Sequence, residues 1–213
     1  MKTKEIILSS LGIRLKNIFF KISEPEFQRI QEIRLRANQP VMIIKDEEFL
    51  FITANGHLSK NIEQAFRTEF RDLSDTLQMM SDYSIYAFEE EIRNGYITLP
   101  GGHRVGIVGK VIMENGHIKT MRYIGGMNIR ISHQIIGCGS KLLPYLLNER
   151  SIYHTLIISP PRCGKTTLLR DIIRQISNGI PPNFNGVTVG IVDERSEIAG
   201  CYQGIPQNDI GMR

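Results

Sequence analysis

The sequence predicts an α+β domain followed by an α/β segment, and three observations carry that reading. From residue 32 to residue 131, short strand-like runs, the first of them alternating strictly between charged and apolar residues, are separated by turn residues, with helical periodicities before and among them. From residue 155, an apolar run, a Gly-Lys-Thr-Thr loop and an amphipathic stretch read as buried parallel strand, loop and helix. Between these regions, residues 134–140 contain Gly137, Cys138 and Gly139 and fit neither pattern, which makes them a linker. The expected domains are therefore residues 1–135 and 136–213, each able to bury a core.

Taken in order, Ile7, Leu8, Leu11, Leu15, Ile18 and Phe19 recur at three- and four-residue intervals and predict one or two amphipathic helices over residues 3–20, interrupted at Gly12. Ser23-Glu24-Pro25-Glu26 reads as the cap and first turn of a short helix. Glu32-Ile33-Arg34-Leu35-Arg36 alternates as a half-exposed strand does, with Arg34 and Arg36 on its open face. Turns at Asn38-Gln39-Pro40 and Lys45-Asp46-Glu47-Glu48 extend it into a three-strand meander. Residues 68–93 read as helix, with Leu73, Leu77 and Met80 on one face, Tyr83, Tyr86, Ala87 and Phe88 continuing it, and Asn94-Gly95 as the stop.

Residues 96–110 are strand, Gly-rich turn and strand, and a turn at Glu114-Asn115-Gly116 leads to strands at 118–123 and 127–131. His103 and Arg104 beside the Gly-rich turn admit a catalytic reading, but a turn-flanking His next to a strand Arg is more often structural. Beyond the linker, residues 141–148 read as a short helix and residues 179–183 as a loop. Residues 187–192 read as a second buried strand that ends in Asp193-Glu194.

The loop before the last long helix carries the chemistry. Gly164 lacks a Cβ, so the backbone can approach a phosphate closely, and the N–H groups of Gly164, Lys165 and Thr166 would point at it from a helix N-terminus. Lys165 would neutralise the β- and γ-phosphates, Thr166 would place its hydroxyl on Mg²⁺, and Thr167 would add a further hydroxyl contact. The whole grip comprises Ser159, Pro160, Pro161, Arg162, Cys163, Gly164, Lys165, Thr166 and Thr167, and its expected ligands are a nucleotide, which the resemblance given below makes ATP, and Mg²⁺. Ser159 stands where the G-x-x-x-x-G-K-[ST] pattern has its first Gly. Pro160 and Pro161 stiffen the loop, and Arg162 either reaches the phosphates or points into solvent.

In open α/β sheets the carboxyl ends of neighbouring strands face one crevice, which would bring Asp193 and Glu194 near the γ-phosphate. One acid would hold Mg²⁺ through water and the other would orient or deprotonate the attacking water. The competing reading has Asp193 and Glu194 cap the segment that follows, with Glu197 a solvated charge.

Composition bounds these readings. A hydrophobic fraction of 41% and a charged fraction of 23% describe an ordinary globular protein, and a net charge of +4 on dispersed Lys and Arg gives no expectation of a nucleic-acid partner. Cys138, Cys163 and Cys201 are odd in number and far apart, with no C-x-x-C pair, which fits a reducing cytosol. No apolar run approaches the length of a membrane span, and the N-terminal residues carry Glu5 and Ser9-Ser10 in place of a signal-peptide core.

Several blocks together resemble a known family. Glu32-Ile33-Arg34-Leu35-Arg36, Leu99-Pro100-Gly101-Gly102-His103-Arg104-Val105-Gly106, Asn128-Ile129-Arg130-Ile131, Pro161 to Asp171 and Val192 to Gly200, with Gly204-Ile205-Pro206-Gln207-Asn208-Asp209, resemble the stage III sporulation protein AA family of endospore-forming bacteria along nearly the whole chain. The resemblance implies a cytoplasmic ATPase related to the type II and type IV secretion ATPases, with an N-terminal domain joined to a RecA-like P-loop NTPase core. It implies a homo-oligomeric ring, such as a hexamer, on the mother-cell side of a channel complex between mother cell and forespore, with a membrane-bound channel protein docking on the N-terminal domain.

The resemblance also places Asp193, Glu194 and Glu197 in the acidic box that follows the P-loop helix. It makes Arg34, Arg36 and Arg104 candidates to reach a neighbouring subunit's nucleotide. The family continues into another apolar strand ending in Asp-Glu, the Walker B element, which these 213 residues lack. The expectation is a C-terminally truncated, partial RecA-like core. Two functions follow for comparison: a motor subunit that turns over ATP, and a nucleotide-gated assembly scaffold with little turnover.

Overall fold

The computed structural model describes residues 3–148, 151–160, 163–182, 184–194 and 196–212. Its residues fall into two units, Met1–Ser132 and His133–Arg213. The first unit is built from helices and one antiparallel sheet. In chain order its elements are α1 Thr3–Ser9, α2 Ile13–Phe20, α3 Glu24–Phe27, β1 Ile30–Arg36, β2 Met42–Lys45, β3 Glu48–Ile52, β4 Leu58–Ser59, α4 Phe70–Met80, α5 Glu89–Arg93, β5 Tyr96–Leu99, β6 His103–Glu114 and β7 His117–Arg130. The strands lie in the order β4-β3-β2-β1-β7-β6-β5.

Alternation in β1 explains the sheet's two faces. Ile33 and Leu35 are fully buried while Arg34 and Arg36 are half-buried, and the register extends the apolar set sideways. Ile33 sits opposite Ile43 on one side and Ile129 on the other, Leu35 opposite Met127, and Val105 opposite Ile129. Ile7, Leu11, Leu15, Phe19 and Leu73 from the helices join the same core. Gly12 separates α1 from α2, and its N–H donates to the Thr76 hydroxyl at 3.1 Å.

Residues 68–93 do not form one helix. α4 stops at Met80, Asp82 and Tyr83 adopt left-handed φ values of 47° and 59°, and a tight 3-10 turn over Ile85–Phe88 precedes α5. The cause is the polar cluster Ser81, Asp82 and Ser84. These short side chains favour turns over helix interiors, and Tyr83 and Tyr86 consequently stay exposed.

β7 is one strand where the pattern predicts two. Gly125 and Gly126 carry no apolar signal, but the backbone ladder continues through them, Gly126 pairing with Arg36 on one side and Val108 on the other. The β6–β7 turn places Asn115 at φ 51° and Gly116 at φ 78°, the geometry of a two-residue hairpin turn. A Cβ at Gly116 would meet nothing within 4 Å, so its substitution isolates backbone strain. Gly116→Ala will therefore lower the unfolding free energy of the first unit by about 1 kcal/mol. A urea melt checks this, and an unchanged midpoint would show that the turn is not under conformational selection.

The second unit contains α6 Leu143–Leu146 and α7 Lys165–Asn178. Leu143, Ile172 and Ile176 form its buried core, with Ile157, Leu168, Phe184 and Val189 packed around them. The two expected buried strands are not realised: among the described residues, neither 155–160 nor 187–192 enters a β-ladder. Ile157 and Val189 pack toward the core, whereas Leu156, Ile158 and Val192 are 82%, 80% and 96% exposed. An apolar run is buried on both faces only where helices cover both, and here the covering side is that of α7. The 141–148 helix shortens to the four residues of α6. No helix among the described residues is long and apolar enough to cross a membrane.

Candidate functional site

α7 starts from a left-handed glycine. Gly164 is its N-cap at φ 78°, ψ 13°, and accepts the Leu168 N–H at 2.8 Å. The N–H groups of Lys165, Thr166 and Thr167 therefore emerge at the positive end of the helix without an intrahelical acceptor. Lys165 lies over the preceding loop. Its Nζ donates to the Pro160 carbonyl at 2.8 Å and the Ser159 carbonyl at 2.9 Å, with the Ser159 hydroxyl at 3.4 Å. In this loop Ser159 holds the lysine as well as standing in the place of the first Gly.

Lys165 and Thr166 line a cavity of about 360 Å³ whose facing polar wall is Asp193, Glu194 and Glu197. Ile157, Leu169 and Val192 supply apolar wall, and the volume lies within the range of small-molecule sites. The structure thus brings five of the sequence-predicted residues around one space. Ser159 and Pro160 reach it only through their bonds to Lys165, and Cys163 is exposed. The Thr167 carbonyl faces the Cys138 thiol at 3.7 Å. Pro161 and Arg162 lie outside the described residues.

Asp193 takes the capping geometry. Its Oδ1 accepts the Glu197 N–H at 2.8 Å, and its Oδ2 accepts the N–H groups of Ala199 at 2.9 Å and Ile198 at 3.0 Å. The carboxylate is therefore the anchor of a turn, with most of its acceptor capacity committed to backbone. Glu194 is exposed at the cavity wall. The acids follow an extended segment, not the end of a buried strand, since Val192 just before them is open to solvent.

Two buried charged residues on α7 tie the helix to distant segments of the second unit, and local sequence reading passed over both. Arg170 is 5% exposed and donates to the carbonyls of Ile198 and Glu197, each at 2.6 Å, and of His133 at 3.3 Å. Burial lowers its pKa, and the negative charge of Asp193 acts in the opposite sense. Asp171 is 2% exposed and accepts the N–H groups of Gly139 at 2.7 Å and Gly137 at 2.9 Å, with Arg174 and Gln175 donating from the next turn. Burial pushes the Asp171 carboxyl up, but these donors outweigh it and hold its pKa below the ordinary value. The available signal was a charged pair set directly between the apolar pairs Leu168-Leu169 and Ile172-Ile173.

In the first unit, His103 is buried and its Nδ1 accepts the Ser132 N–H at 3.0 Å, which is a structural placement. Arg36 donates to the carbonyls of Leu35 at 2.7 Å and Met127 at 3.1 Å and to Asn128 Oδ1 at 2.8 Å. Its pKa is lowered by burial and by the neighbouring charge of Arg34. Arg34 pairs with Glu32 at 2.7 Å, and Arg104 stacks 3.8 Å from the Tyr96 ring centre.

The family model described as sporulation stage III, protein AA matches residues 1–213. The chain belongs to this family. It is 45% identical over 199 residues to the stage III sporulation protein AA of Bacillus subtilis (strain 168), a match covering 93% of this chain and 60% of that relative. The chain therefore spans about 60% of the length of the curated relative it matches. Among solved structures, the Legionella pneumophila ATPase DotB is 16% identical with a TM-score of 0.38, covering 71% of this chain and 39% of that one. The VirB11 ATPase of the Brucella suis type IV secretion system, in complex with sulphate, is 12% identical with a TM-score of 0.32, covering 61% and 33%.

Proposed function

We propose that this chain is the nucleotide-binding part of a sporulation ATPase subunit that binds ATP with Mg²⁺ at the N-terminus of α7. The observation that supports the reading is Lys165 and Thr166 at a left-handed N-cap, facing Glu194 and Glu197 across one cavity. The N–H groups of the first helical turn accept the phosphates, and Lys165 exchanges the Ser159 and Pro160 carbonyls for phosphate oxygens. No three His, Cys, Asp or Glu side chains converge on a metal geometry among the described residues. The donor set here, the Thr166 hydroxyl with Glu194 or Glu197, suits a hard cation such as Mg²⁺ that keeps water and phosphate oxygens as its other ligands. Bound there, Mg²⁺ would neutralise phosphate charge. Glu194 and Glu197 are the groups placed to orient or deprotonate water, because Asp193 is committed to its turn.

In this reading the subunits form a homo-oligomeric ring on the cytoplasmic, mother-cell side of a membrane-bound channel protein. That protein docks on the first unit, and hydrolysis drives motion between the units. A second reading, a nucleotide-gated scaffold with little turnover, is favoured by one observation, the engagement of Asp193 away from chemistry. Phosphate release by the complete protein separates the two.

Cys163 gives a direct test of nucleotide binding, because it is exposed one residue before Gly164. At an ATP·Mg²⁺ concentration ten times its dissociation constant, alkylation of Cys163 by iodoacetamide will slow roughly ten-fold, with Cys201 unaffected. Equal rates with and without nucleotide would remove the site from this loop.

A further inference from the structure

We infer that Arg170 is a positioning residue for Glu197, an inference that rests on the nucleotide reading above and adds a residue to it. The segment 197–199 is held between two opposite charges. Asp193 accepts its three N–H groups, while Arg170 donates to the carbonyls of Glu197 and Ile198 from the other side. The Glu197–Ile198 and Ile198–Ala199 peptides are thus each gripped by a carboxylate at the N–H end and a guanidinium at the C=O end. That arrangement leaves the backbone of Glu197 little freedom to rotate. Glu197 is also the acid on the cavity wall that this turn carries, so its aim toward Lys165 and Thr166 is set by the grip.

The geometry distinguishes this from ordinary packing. Arg170 is almost fully buried yet takes its three carbonyl acceptors from segments 27, 28 and 37 residues away in sequence. It sits on α7 five residues after Lys165, so one rigid helix carries both the lysine for the phosphate and the guanidinium that orients the facing acid. Asn208 adds a second donor to the Ile198 carbonyl at 3.0 Å. A helix that registers both sides of a site in this way fixes the distance between them.

The test uses Arg170→Lys and Glu197→Gln, singly and together, in this chain. Hydrogen exchange reads the grip without nucleotide. In Arg170→Lys the amides of Glu197, Ile198 and Ala199 will exchange at least about ten-fold faster, while the interior amides of α7 hold their wild-type rates. ATP affinity measured with Mg²⁺ and with chelator reads the consequence. The Mg²⁺-dependent gain, about ten-fold or more in wild type, will collapse to near unity in both single variants and in the double variant alike, with affinity in chelator unchanged.

Faster exchange throughout α7, or equal losses with and without Mg²⁺, would reduce Arg170 to a structural role. Additive losses in the double variant would show that it does not act through Glu197. Unchanged turn exchange would remove the grip itself. Absence of ATP binding in wild type would overturn the nucleotide reading instead, and with it the role assigned to Glu197, whatever the exchange data show for the turn.

Discussion

Lys165→Ala will lose ATP affinity by roughly a hundred-fold, about 3 kcal/mol, while leaving the fold in place. The two halves of that statement come from the same contacts. Among the described residues, the Lys165 ammonium meets only the carbonyls of Ser159 and Pro160 and the Ser159 hydroxyl, all neutral acceptors in an exposed loop, so water replaces it there at little cost. Against a triphosphate the same ammonium is the cation that the site supplies from α7 itself, and charge-assisted bonds to phosphate are the strong ones. Titration calorimetry with ATP·Mg²⁺, beside a thermal melt of the same samples, checks both halves. A dissociation constant within three-fold of wild type would mean that the phosphates bind elsewhere. A collapsed melt would mean that Lys165 serves the loop more than the ligand.

The first unit was legible because its sheet is buried on one face. Glu32 to Arg36 announces β1 by alternation, and Asn115-Gly116 announces the hairpin turn by demanding two left-handed residues. The helix expected over residues 68–93 overruns α4 because apolar spacing does not register the turn preference of Ser81, Asp82 and Ser84. In the second unit, the Gly-Lys-Thr-Thr helix start was legible, since a phosphate loop needs those residue types at that spacing. The flanking strands were not, because an apolar run reports that burial is available, not that a partner strand lies beside it. Arg170 and Asp171 were hidden for a different reason. Their partners are backbone groups about thirty residues away, and a carbonyl or N–H bears no mark in the sequence of the residue that will reach it.

Asp171→Asn will cost the second unit about 3 kcal/mol at pH 7. The substitution keeps the shape but replaces Oδ2 by an amide nitrogen facing two donors, the Gly139 N–H and the Gln175 side chain, and it strips Arg174 of its charge partner. The loss must also depend on pH with a defined sign. The folded-state pKa of Asp171 lies below its ordinary value of 3.8, so its contribution is fully present above about pH 4 and is lost as pH falls through the folded-state value. Other carboxylates titrate in both proteins and cancel in the difference. Urea unfolding of wild type and variant, followed by hydrogen exchange at the Gly137 and Gly139 amides, will therefore show a gap that is constant from pH 7 to about pH 5 and shrinks below pH 4. A gap that persists unchanged at pH 3 would assign the effect to packing. A gap near zero at pH 7 would show that the segment at 137–139 is held by something other than this carboxylate.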